Sequence, residues 1–493
     1  MSRIIIIGAG PGGICSGIKL KEAGYHDFRI IEQSDGVGGT WRLNSYPGCR
    51  CDVPSVLYSF SFAPKMDWSS RYAAQPEILA YLEELAEKAG LAPHLMLNTR
   101  VVGADWDEAR SRWTVTLDDG TSLTSEILVS GLGLFNEPTI PDLPGLETFR
   151  GPVMHAARWD HELALSGKRV AVIGTGASAV QFAPQVAGVA GHLDIYQRSP
   201  NYVRVPEPEY TPAERARMMN DPDFYRDERQ KIFDWIEAIC EMSDPEFLET
   251  STRDCLNSLE LVEDPDIRER LRPDFPYGAK RPLTSRDWFP TFNRENVALV
   301  TDPILRVGEA EIELQDGTSR PTDIILFGTG FETTKFLSAI PVRGRGARLL
   351  EEEWNEGARA YRGVTVSGFP NLFMLYGPNT NNGAIILNIE HQVAYMIRHL
   401  QRMDEEDIGW IDVRASAMDR YNAELQEDLA AIKVWNSGVN YYYFSETGLN
   451  VTQWPHGMER MAALLAVPDY DDYEFQVRED ASLGGARLAA AGA

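Results

Sequence analysis

Two short apolar runs in the chain are each followed by the same succession of patterns. Ile4 to Ile7 and Val170 to Ile173 are unbroken runs of four apolar residues, which is typical of strands buried on both faces of a parallel sheet. A glycine-rich turn, a helical stretch and a second apolar strand follow each run, and these second strands are "FRII" and "LDIYQ". The repeated order of strand, turn, helix and strand predicts two α/β units of the same kind.

Each turn carries small residues at the spacing that a dinucleotide pyrophosphate requires. The first has G-x-G-x-x-G at Gly8, Gly10 and Gly13, and the second has G-x-G-x-x-A at Gly174, Gly176 and Ala179. These positions allow a tight turn, close approach of the pyrophosphate and close packing of helix on strand. The following helix offers free N–H groups and the positive end of its dipole to the phosphates. The sequence therefore predicts an α/β fold with two Rossmann-like dinucleotide-binding domains.

The two units differ in charge at one matched position. Glu32 lies 24 residues after Gly8, whereas Arg198, with Ser199 beside it, lies 24 residues after Gly174. A carboxylate there accepts hydrogen bonds from ribose hydroxyls and repels a 2′-phosphate, whereas an arginine binds one. The first site therefore suits FAD and the second suits NADPH. An ordinary surface arginine is the alternative interpretation of Arg198.

Composition changes between these units predict the domain boundaries. Residues 210 to 275 begin helices at Thr211-Pro212, Asp244-Pro245 and Asp264-Pro265, which indicates a small helical insertion. The strand and turn "PTDIILFGTGF" (321–331) are expected to carry the chain back to the flavin domain. We expect the FAD-binding domain at 1–144 and 326–480, the NADPH-binding domain at 151–205 and 279–325, the helical insertion at 206–278, and a disordered tail at 481–493.

Composition excludes several classes of function. The net charge of −26 over 493 residues disfavours nucleic acid and anionic membrane surfaces as partners. Five cysteines form no disulfide framework, no apolar run is long enough to span a membrane, and no signal peptide precedes the first strand. We expect a cytoplasmic protein that is a monomer or a weak homo-oligomer and that holds no metal.

Two further stretches carry a family resemblance. "GGTWRLNSYPGCRCD" matches [A/G]-G-x-W-x-x-x-x-[F/Y]-P-[G/M]-x-x-x-D, and "FRGPVMHAARWD" matches F-x-G-x-x-x-H-x-x-x-W-[P/D]. Together with both nucleotide motifs, over residues 4 to about 457, the chain resembles a Baeyer–Villiger monooxygenase, in particular the 4-hydroxyacetophenone monooxygenase branch. The resemblance implies FAD, NADPH and O2, and insertion of one oxygen atom beside a ketone carbonyl through a flavin peroxide to give an ester or lactone. A sulfide is an additional candidate substrate.

The resemblance also implies roles for individual residues. Arg281 would be the catalytic arginine, Asp52 its acidic partner, and Lys280 a helper on the NADPH 2′-phosphate. The further residues expected at the cofactor are Gly39, Thr40, Trp41 and Tyr46. His155 and Trp159 lie between the two nucleotide units, where we expect a hinge that couples NADPH binding to the flavin.

Two segments depart from the family pattern. "WNSGVNYYYF" places Tyr442 where relatives often have a tryptophan, and "GPNTNNGAII", which contains Asn382, is shorter than the family's loop. Both border the substrate pocket or a mobile loop in relatives, so the substrate range is the part of the function that they affect.

Three other functions compete with the ketone oxygenase. An N- or S-oxygenating flavin monooxygenase shares the nucleotide motifs, but it usually has an aromatic and a basic residue where Trp159 and Asp160 stand. A flavin disulfide reductase needs C-x-x-C, whereas Cys49 and Cys51 are separated by one residue. A non-catalytic dinucleotide-binding sensor is the third.

Overall fold

The computed structural model describes residues 2–439 and 441–478. The expected tail at 481–493 lies outside the described residues. The strands, in chain order, are β1 Ile4–Ile7, β2 Phe28–Ile31, β3 Leu95–Met96, β4 Val101–Asp107, β5 Arg112–Leu117, β6 Ser122–Ser125, β7 Ile127–Ser130, β8 Val153–His155, β9 Arg169–Ile173, β10 His192–Tyr196, β11 Val203–Arg204, β12 Leu283–Thr284, β13 Val297–Val300, β14 Ile304–Val307, β15 Glu311–Leu314, β16 Ser319–Pro321, β17 Ile324–Phe327, β18 Val342–Arg343, β19 Leu372–Met374, β20 Ile408–Val413 and β21 Tyr473–Val477.

The helices cover the sheets and form the insertion. The α-helices are α1 Pro11–Glu22, α2 Thr40–Leu43, α3 Gln75–Lys88, α4 Ala177–Ala187, α5 Pro212–Asn220, α6 Pro222–Cys240, α7 Pro245–Ser258, α8 Pro265–Arg270, α9 Trp288–Thr291, α10 Leu350–Glu353, α11 Ile385–Glu405, α12 Ala415–Ala431 and α13 Met458–Ala466.

Each apolar run of the sequence is an inner strand of its own parallel sheet. The first sheet has the order β19-β7-β1-β2-β3, and the second has the order β13-β10-β9-β17-β8. All four residues of β1 are buried, as are Val170 to Ile173 of β9. The predicted α/β fold with two dinucleotide-binding units is confirmed.

The helix starts that the sequence predicts are confirmed in the insertion. Thr211 and Glu214 form a reciprocal capping box at the start of α5. Asp244 and Asp264 accept hydrogen bonds from backbone N–H groups at the starts of α7 and α8, each with proline at the first helical position. The four helices α5 to α8 span 212–270, inside the expected insertion.

One expected boundary is wrong by a few residues. Strand β17 pairs on one side with β9 and on the other with β8, so all of it belongs to the second sheet. A boundary between residues 325 and 326 would cut this strand, and the second unit therefore continues through Phe327. The chain rejoins the first sheet at β19, which pairs with β7. The segment 321–331 thus completes the NADPH-type unit before it crosses over.

Two crossing segments connect the units, and they lie side by side. Thr139 N–H donates to the Gly330 carbonyl at 2.9 Å, and Glu332 N–H donates to the Glu137 carbonyl at 2.9 Å. The rings of Phe135 and Phe331, one from each segment, have centroids 5.5 Å apart. The outgoing and returning crossings therefore form one paired connection.

Candidate active site

The first glycine-rich turn is built for close approach of backbone to a ligand. A Cβ on Gly8 would lie 2.7 Å from the Gly131 carbonyl oxygen, and one on Gly13 would overlap the carbonyl oxygen of Gly8. Helix α1 begins after Gly10, whose lack of a side chain leaves the first N–H groups of the helix open to an anion. The geometry is that of a pyrophosphate cradle.

Glu32 lies buried at the end of β2, beside this cradle. One of its carboxylate oxygens accepts from Ala9 N–H at 2.8 Å, and the other accepts from the N–H and hydroxyl of Ser34 at 2.8 and 2.7 Å. These bonds fix the carboxylate next to the glycine turn, where it can still accept from ribose hydroxyls. The cradle and Glu32 fit the ribose and pyrophosphate of a nucleotide without a 2′-phosphate.

The segment from Gly38 to Trp41 folds over the same cradle. Gly38 N–H donates to the Ala9 carbonyl at 2.9 Å, and helix α2 starts at Thr40 after Gly39. The buried Trp41 donates from Nε1 to the Tyr58 hydroxyl at 3.0 Å. The structure thus places the segment that contains Gly39, Thr40 and Trp41 against the first cradle, and their contact with a cofactor stays a prediction.

The second turn repeats the cradle. A Cβ on Gly174 would lie 2.5 Å from the Gly328 carbonyl oxygen, and helix α4 begins after Gly176. Ala179 packs its Cβ against Gly328 in the position that corresponds to Gly13. Gly328 at the end of β17 is therefore part of the second cradle, which agrees with the place of β17 in the second sheet.

Three polar side chains gather beside the second cradle. Lys280 Nζ donates to the Ser199 hydroxyl at 2.7 Å, and the exposed Arg198 precedes Ser199 in the chain. The pKa of Lys280 lies below its usual value, chiefly because the amine is buried and secondly because Arg198 is positively charged. Two cations and a hydroxyl beside a helix start are typical of a site for a phosphate dianion.

Arg281 and Asp52 form an ion pair between the two units. Arg281 Nε and Nη2 both donate to Asp52 Oδ2, at 3.0 and 2.8 Å. The side chains are 36% and 31% exposed, so the pair faces an open space. The Asp52 carboxylate raises the pKa of Arg281 well above its usual value, and Tyr442, Tyr376 and Tyr443 act in the same direction. The guanidinium is therefore a permanent positive charge in a ring of phenols.

Tyr442 lies beside Arg281, and the two neighbouring asparagines Asn381 and Asn382 are each held by hydrogen bonds within the protein. Burial raises the pKa of the Tyr442 phenol, Arg281 and Asn381 act on that pKa in the opposite direction with a smaller effect, and the Tyr376 hydroxyl donates to Asn381 Oδ1 at 2.6 Å. Asn382 instead donates to the carbonyls of Cys240 and Trp454, at 2.7 and 2.9 Å. Asn382 therefore fastens its loop to the end of helix α6, and its expected role at the substrate pocket or a mobile loop stays a prediction.

His155 lies buried at the paired connection between the units. It ends β8 opposite Phe327, and its ring meets the Phe331 ring edge-on at 5.7 Å. Its Nδ1 accepts from Ala157 N–H at 3.1 Å, and burial lowers the pKa of its imidazole. His155 thus contacts the returning crossing at Phe331, and its role as a hinge residue stays a prediction.

Trp159 and Tyr46 both pack against Phe182, a residue that the sequence patterns did not indicate. Their rings have centroids 5.4 and 5.9 Å from the ring of Phe182 on helix α4. Asp160 is exposed and accepts from Glu162 N–H at 2.9 Å, so it shapes a turn beside the site. The aromatic contact at Phe182 joins a loop of the first unit to the helix of the second cradle. In the sequence, only the apolar face of α4 indicated that Phe182 is buried.

Two kinds of site have no counterpart in the described ranges. The five cysteines are all free and buried, and Cys49 and Cys51 form no dithiol of the C-x-x-C kind. Residues 2–439 and 441–478 contain no cluster of three or more His, Cys, Asp or Glu side chains arranged to hold a metal ion. No helix in the same ranges is long and apolar enough to cross a membrane.

Comparison with known proteins agrees with this geometry. Residues 5–220 match the family described as pyridine nucleotide-disulphide oxidoreductase. The chain is 38% identical over 490 residues to a Baeyer–Villiger monooxygenase of Pseudomonas aeruginosa, covering 98% of this chain and 93% of the relative. It is 38% identical over 466 residues to one of Streptomyces coelicolor, covering 92% and 88%. A crystal structure of OTEMO complexed with FAD and NADP superposes with a TM-score of 0.84 at 27% identity, covering 96% of this chain and 99% of the other.

Proposed function

The chain belongs to the Baeyer–Villiger monooxygenases, and on that basis we propose that its chemistry is organised around the Arg281–Asp52 pair. The enzyme uses FAD and NADPH and inserts one oxygen atom of O2 beside a ketone carbonyl, which gives an ester or a lactone. NADPH supplies two electrons, and the second oxygen atom leaves as water. The narrower likeness to the 4-hydroxyacetophenone branch stays a prediction, as do sulfide oxidation and the oligomeric state.

The two cradles suit two different cofactors. We assign FAD to the cradle at Gly8, Gly10 and Gly13, because the Glu32 carboxylate beside it favours a ribose with a free 2′-hydroxyl. We assign NADPH to the cradle at Gly174 and Gly176, because Arg198, Ser199 and Lys280 offer cations and a hydroxyl to a 2′-phosphate. When bound and reduced, FAD supplies the activation of O2.

Arg281 would act on the oxygen atoms that become negative. Attack on a ketone carbon moves charge onto the carbonyl oxygen, and a fixed guanidinium can donate N–H groups to that oxygen without losing its own proton. One such donor in a site that excludes water contributes about 3 kcal/mol to lowering the barrier. Asp52 holds the guanidinium in place from one side and leaves the remaining N–H groups to the pocket.

The observation that carries this proposal is the double donation of Arg281 to Asp52 between the two cradles. An N- or S-oxygenating enzyme needs no such cation, because a protonated oxidant transfers oxygen to a nucleophilic nitrogen or sulfur. The family membership does not favour that alternative. We assign FAD to the first unit, residues 1–144 and the chain after Phe327. We assign NADPH to the second unit, residues 151–205 and 279–327.

The test compares ketones and sulfides in one variant. NADPH consumption and product mass are measured for cyclic, linear, aryl and steroid ketones and for a sulfide, in the wild type and in Arg281→Ala. We expect ester or lactone from the wild type and at least a hundredfold loss in the variant, with smaller loss for the sulfide. Arg169→Ala, which removes the surface ion pair with Asp323, is the matched control. Equal ketone turnover in Arg281→Ala and Arg169→Ala would rule out the assigned role.

A further inference from the structure

One side chain of helix α4 is bonded to the backbone that leads to Asp52. Gln181 Oε1 accepts from the Arg50 N–H at 3.3 Å, and Gln181 Nε2 donates to the Arg50 carbonyl at 3.1 Å. The carboxamide thus pairs with both polar groups of one residue, as a neighbouring strand would. Arg50 is two residues before Asp52, so this pairing fixes the loop close to the point where it reaches Arg281.

The same carboxamide also receives the Tyr46 hydroxyl. The Tyr46 phenol donates to Gln181 Oε1 at 3.0 Å, and it lies beside Ser178 in the first turn of α4. The loop backbone approaches the helix closely here, since a Cβ on Gly48 would lie 2.6 Å from the Gln181 carbonyl oxygen. Loop 46–50 of the first unit is therefore fastened to the helix of the second unit through one glutamine.

Helix α4 is the element whose start forms the second cradle, so the fastening has a consequence for the reaction. We propose that Gln181 is a positioning residue: it ties the backbone that carries Asp52 to the NADP-binding helix and thereby keeps Arg281 aligned while NADP is bound. The inference rests on the proposed roles of Arg281 and of the second cradle. The Gln181 side chain bonds to Tyr46 and Arg50, which are outside the Arg281–Asp52 pair and the Arg198–Lys280 cluster, so its effect would be on alignment.

The position of Gln181 predicts a particular combination of kinetic effects. The bond from Tyr46 is part-buried and the two bonds to Arg50 are exposed, so each contributes modestly to holding the loop. Loss of all three would let the Asp52 loop shift by a small distance, which is enough to misalign a catalytic cation. The reduced enzyme would then pass more of its electrons to hydrogen peroxide and fewer to ester, while the affinity for the nucleotide would change little.

The experiment uses the FAD-loaded full chain and the variants Gln181→Met and Gln185→Met. Gln185 lies one turn further along α4 and is exposed, so its replacement controls for the loss of a glutamine from this helix. For Gln181→Met we expect at least a threefold fall in ester formed per NADPH consumed, with less than a twofold change in the KM for NADPH. Gln185→Met should match the wild type in both quantities.

A second measurement does not depend on turnover. Titration of the oxidised protein with NADP+ gives a change in the visible flavin spectrum and a Kd. We expect the spectral change of Gln181→Met to be reduced at least by half while its Kd stays within twofold of the wild type. Gln181→Glu keeps the acceptor oxygen for Tyr46 and for Arg50 N–H but sets a second acceptor against the Arg50 carbonyl, so its ester yield and its spectral change should both fall between those of Gln181→Met and the wild type.

The outcomes separate this inference from the proposed function. Ketone oxygenation by the wild type and its loss in Arg281→Ala test the proposed function alone. If those hold and Gln181→Met equals Gln185→Met in product yield and spectrum, the positioning role is overturned. A tenfold rise in Kd without loss of yield would also overturn it, because Gln181 would then bind nucleotide directly. If Gln181→Met does not fold, Gln181→Ala compared with Gln185→Ala gives the same decision, because alanine also removes all three bonds of Gln181.

Discussion

Arg281 and Asp52 are 229 positions apart in the chain, yet both donating nitrogens of the guanidinium meet a single carboxylate oxygen of Asp52. Asp52 belongs to the loop that follows the first cradle, and Arg281 follows Lys280 of the second. The pair therefore forms only when the two nucleotide units are in the correct relative position. The shared oxygen makes it a sensitive reporter of that position.

Removal of the carboxylate should weaken oxygenation more than it weakens cofactor binding. In Asp52→Ala the Arg281 guanidinium loses its partner. About a third of the Arg281 side chain is exposed to solvent, so screening limits the free-energy cost of the unpaired charge to about 1–2 kcal/mol. We expect about a tenfold lower kcat for ester formation, with FAD retained as judged by its absorbance. Asp323→Ala, which frees Arg169, serves as control, and equal kcat values in the two variants would contradict the assigned role.

The phosphate site predicts a change in coenzyme preference. Lys280→Ala removes one donor from the cluster with Ser199 and Arg198, and a charge-assisted hydrogen bond contributes about 1.5–3 kcal/mol. The KM for NADPH should rise at least tenfold, whereas the KM for NADH, which lacks the 2′-phosphate, should change less than twofold. The exposed Lys433→Ala provides the comparison. An equal rise in the KM values for NADPH and NADH would mean that Lys280 does not bind the 2′-phosphate.

His155 should couple the units without touching the chemistry. His155→Ala removes the ring that packs on Phe331 and so loosens the paired crossings at residues 135–139 and 330–332. We expect slower flavin reduction by NADPH in rapid mixing, or a larger share of hydrogen peroxide, with FAD still bound. His26→Ala, at an exposed position, is the control. Unchanged reduction and coupling in His155→Ala would refute the hinge role.

Sequence patterns identified the features that are local. A strand, a glycine turn and the charge after the next strand lie within about thirty residues of each other, so periodicity and spacing define both cradles. The proline-initiated helices of the insertion are equally local, because a cap and its helix are adjacent in the chain.

Features that depend on distant contacts were missed or misplaced. Gln181 and Arg50 are 131 positions apart, and no pattern near either residue indicates their bond. Asn381 and Asn382 are identical neighbours, and only the loop backbone decides that Asn381 bonds to Tyr376 while Asn382 bonds to the end of helix α6. The strand 324–327 has the same apolar character in either sheet, so its pairing with β9 was not visible from its residues.

A buried acid far from the site predicts how stability depends on pH. Asp412 on β20 accepts from Gly368 N–H at 3.0 and 3.1 Å, and burial raises the pKa of its carboxyl to about 7. Between its usual value and pH 7 the folded protein holds a proton that the unfolded chain releases, so the stability from this group falls as pH rises through that window. Asp412→Asn removes the effect.

The measurement is the midpoint of thermal unfolding at pH 5 and at pH 8. Between these two pH values the free energy of unfolding of the wild type should fall by about 2 kcal/mol more than that of Asp412→Asn. Asp105→Asn, at an exposed acid, should follow the wild type. A wild type that gains stability relative to Asp412→Asn over this interval would contradict the raised pKa.

The hydroxyl of Tyr442 should set which ketones are accepted. Arg281 can only donate hydrogen bonds, so the phenol oxygen within its reach is an acceptor, and burial raises the pKa of Tyr442 so that its proton stays in place at neutral pH. That proton is available to a substrate oxygen beside Arg281. Tyr442→Phe loses this donor at a cost of about 1 kcal/mol, and we expect about a fivefold lower kcat/KM for ketones that carry a second polar oxygen.

The adjacent Tyr441 provides a matched control, because it is also a tyrosine and its ring packs at a tilt against Tyr442 with centroids 4.5 Å apart. Tyr441→Phe should leave the ratio of kcat/KM for hydroxylated and unsubstituted aryl ketones within twofold of the wild type, whereas Tyr442→Phe should shift that ratio about fivefold. Tyr442→Trp, which installs the residue common in relatives, should lower kcat/KM for the hydroxylated ketone as much as Tyr442→Phe does. An unchanged ratio in both Tyr442 variants would show that its ring matters and its hydroxyl does not.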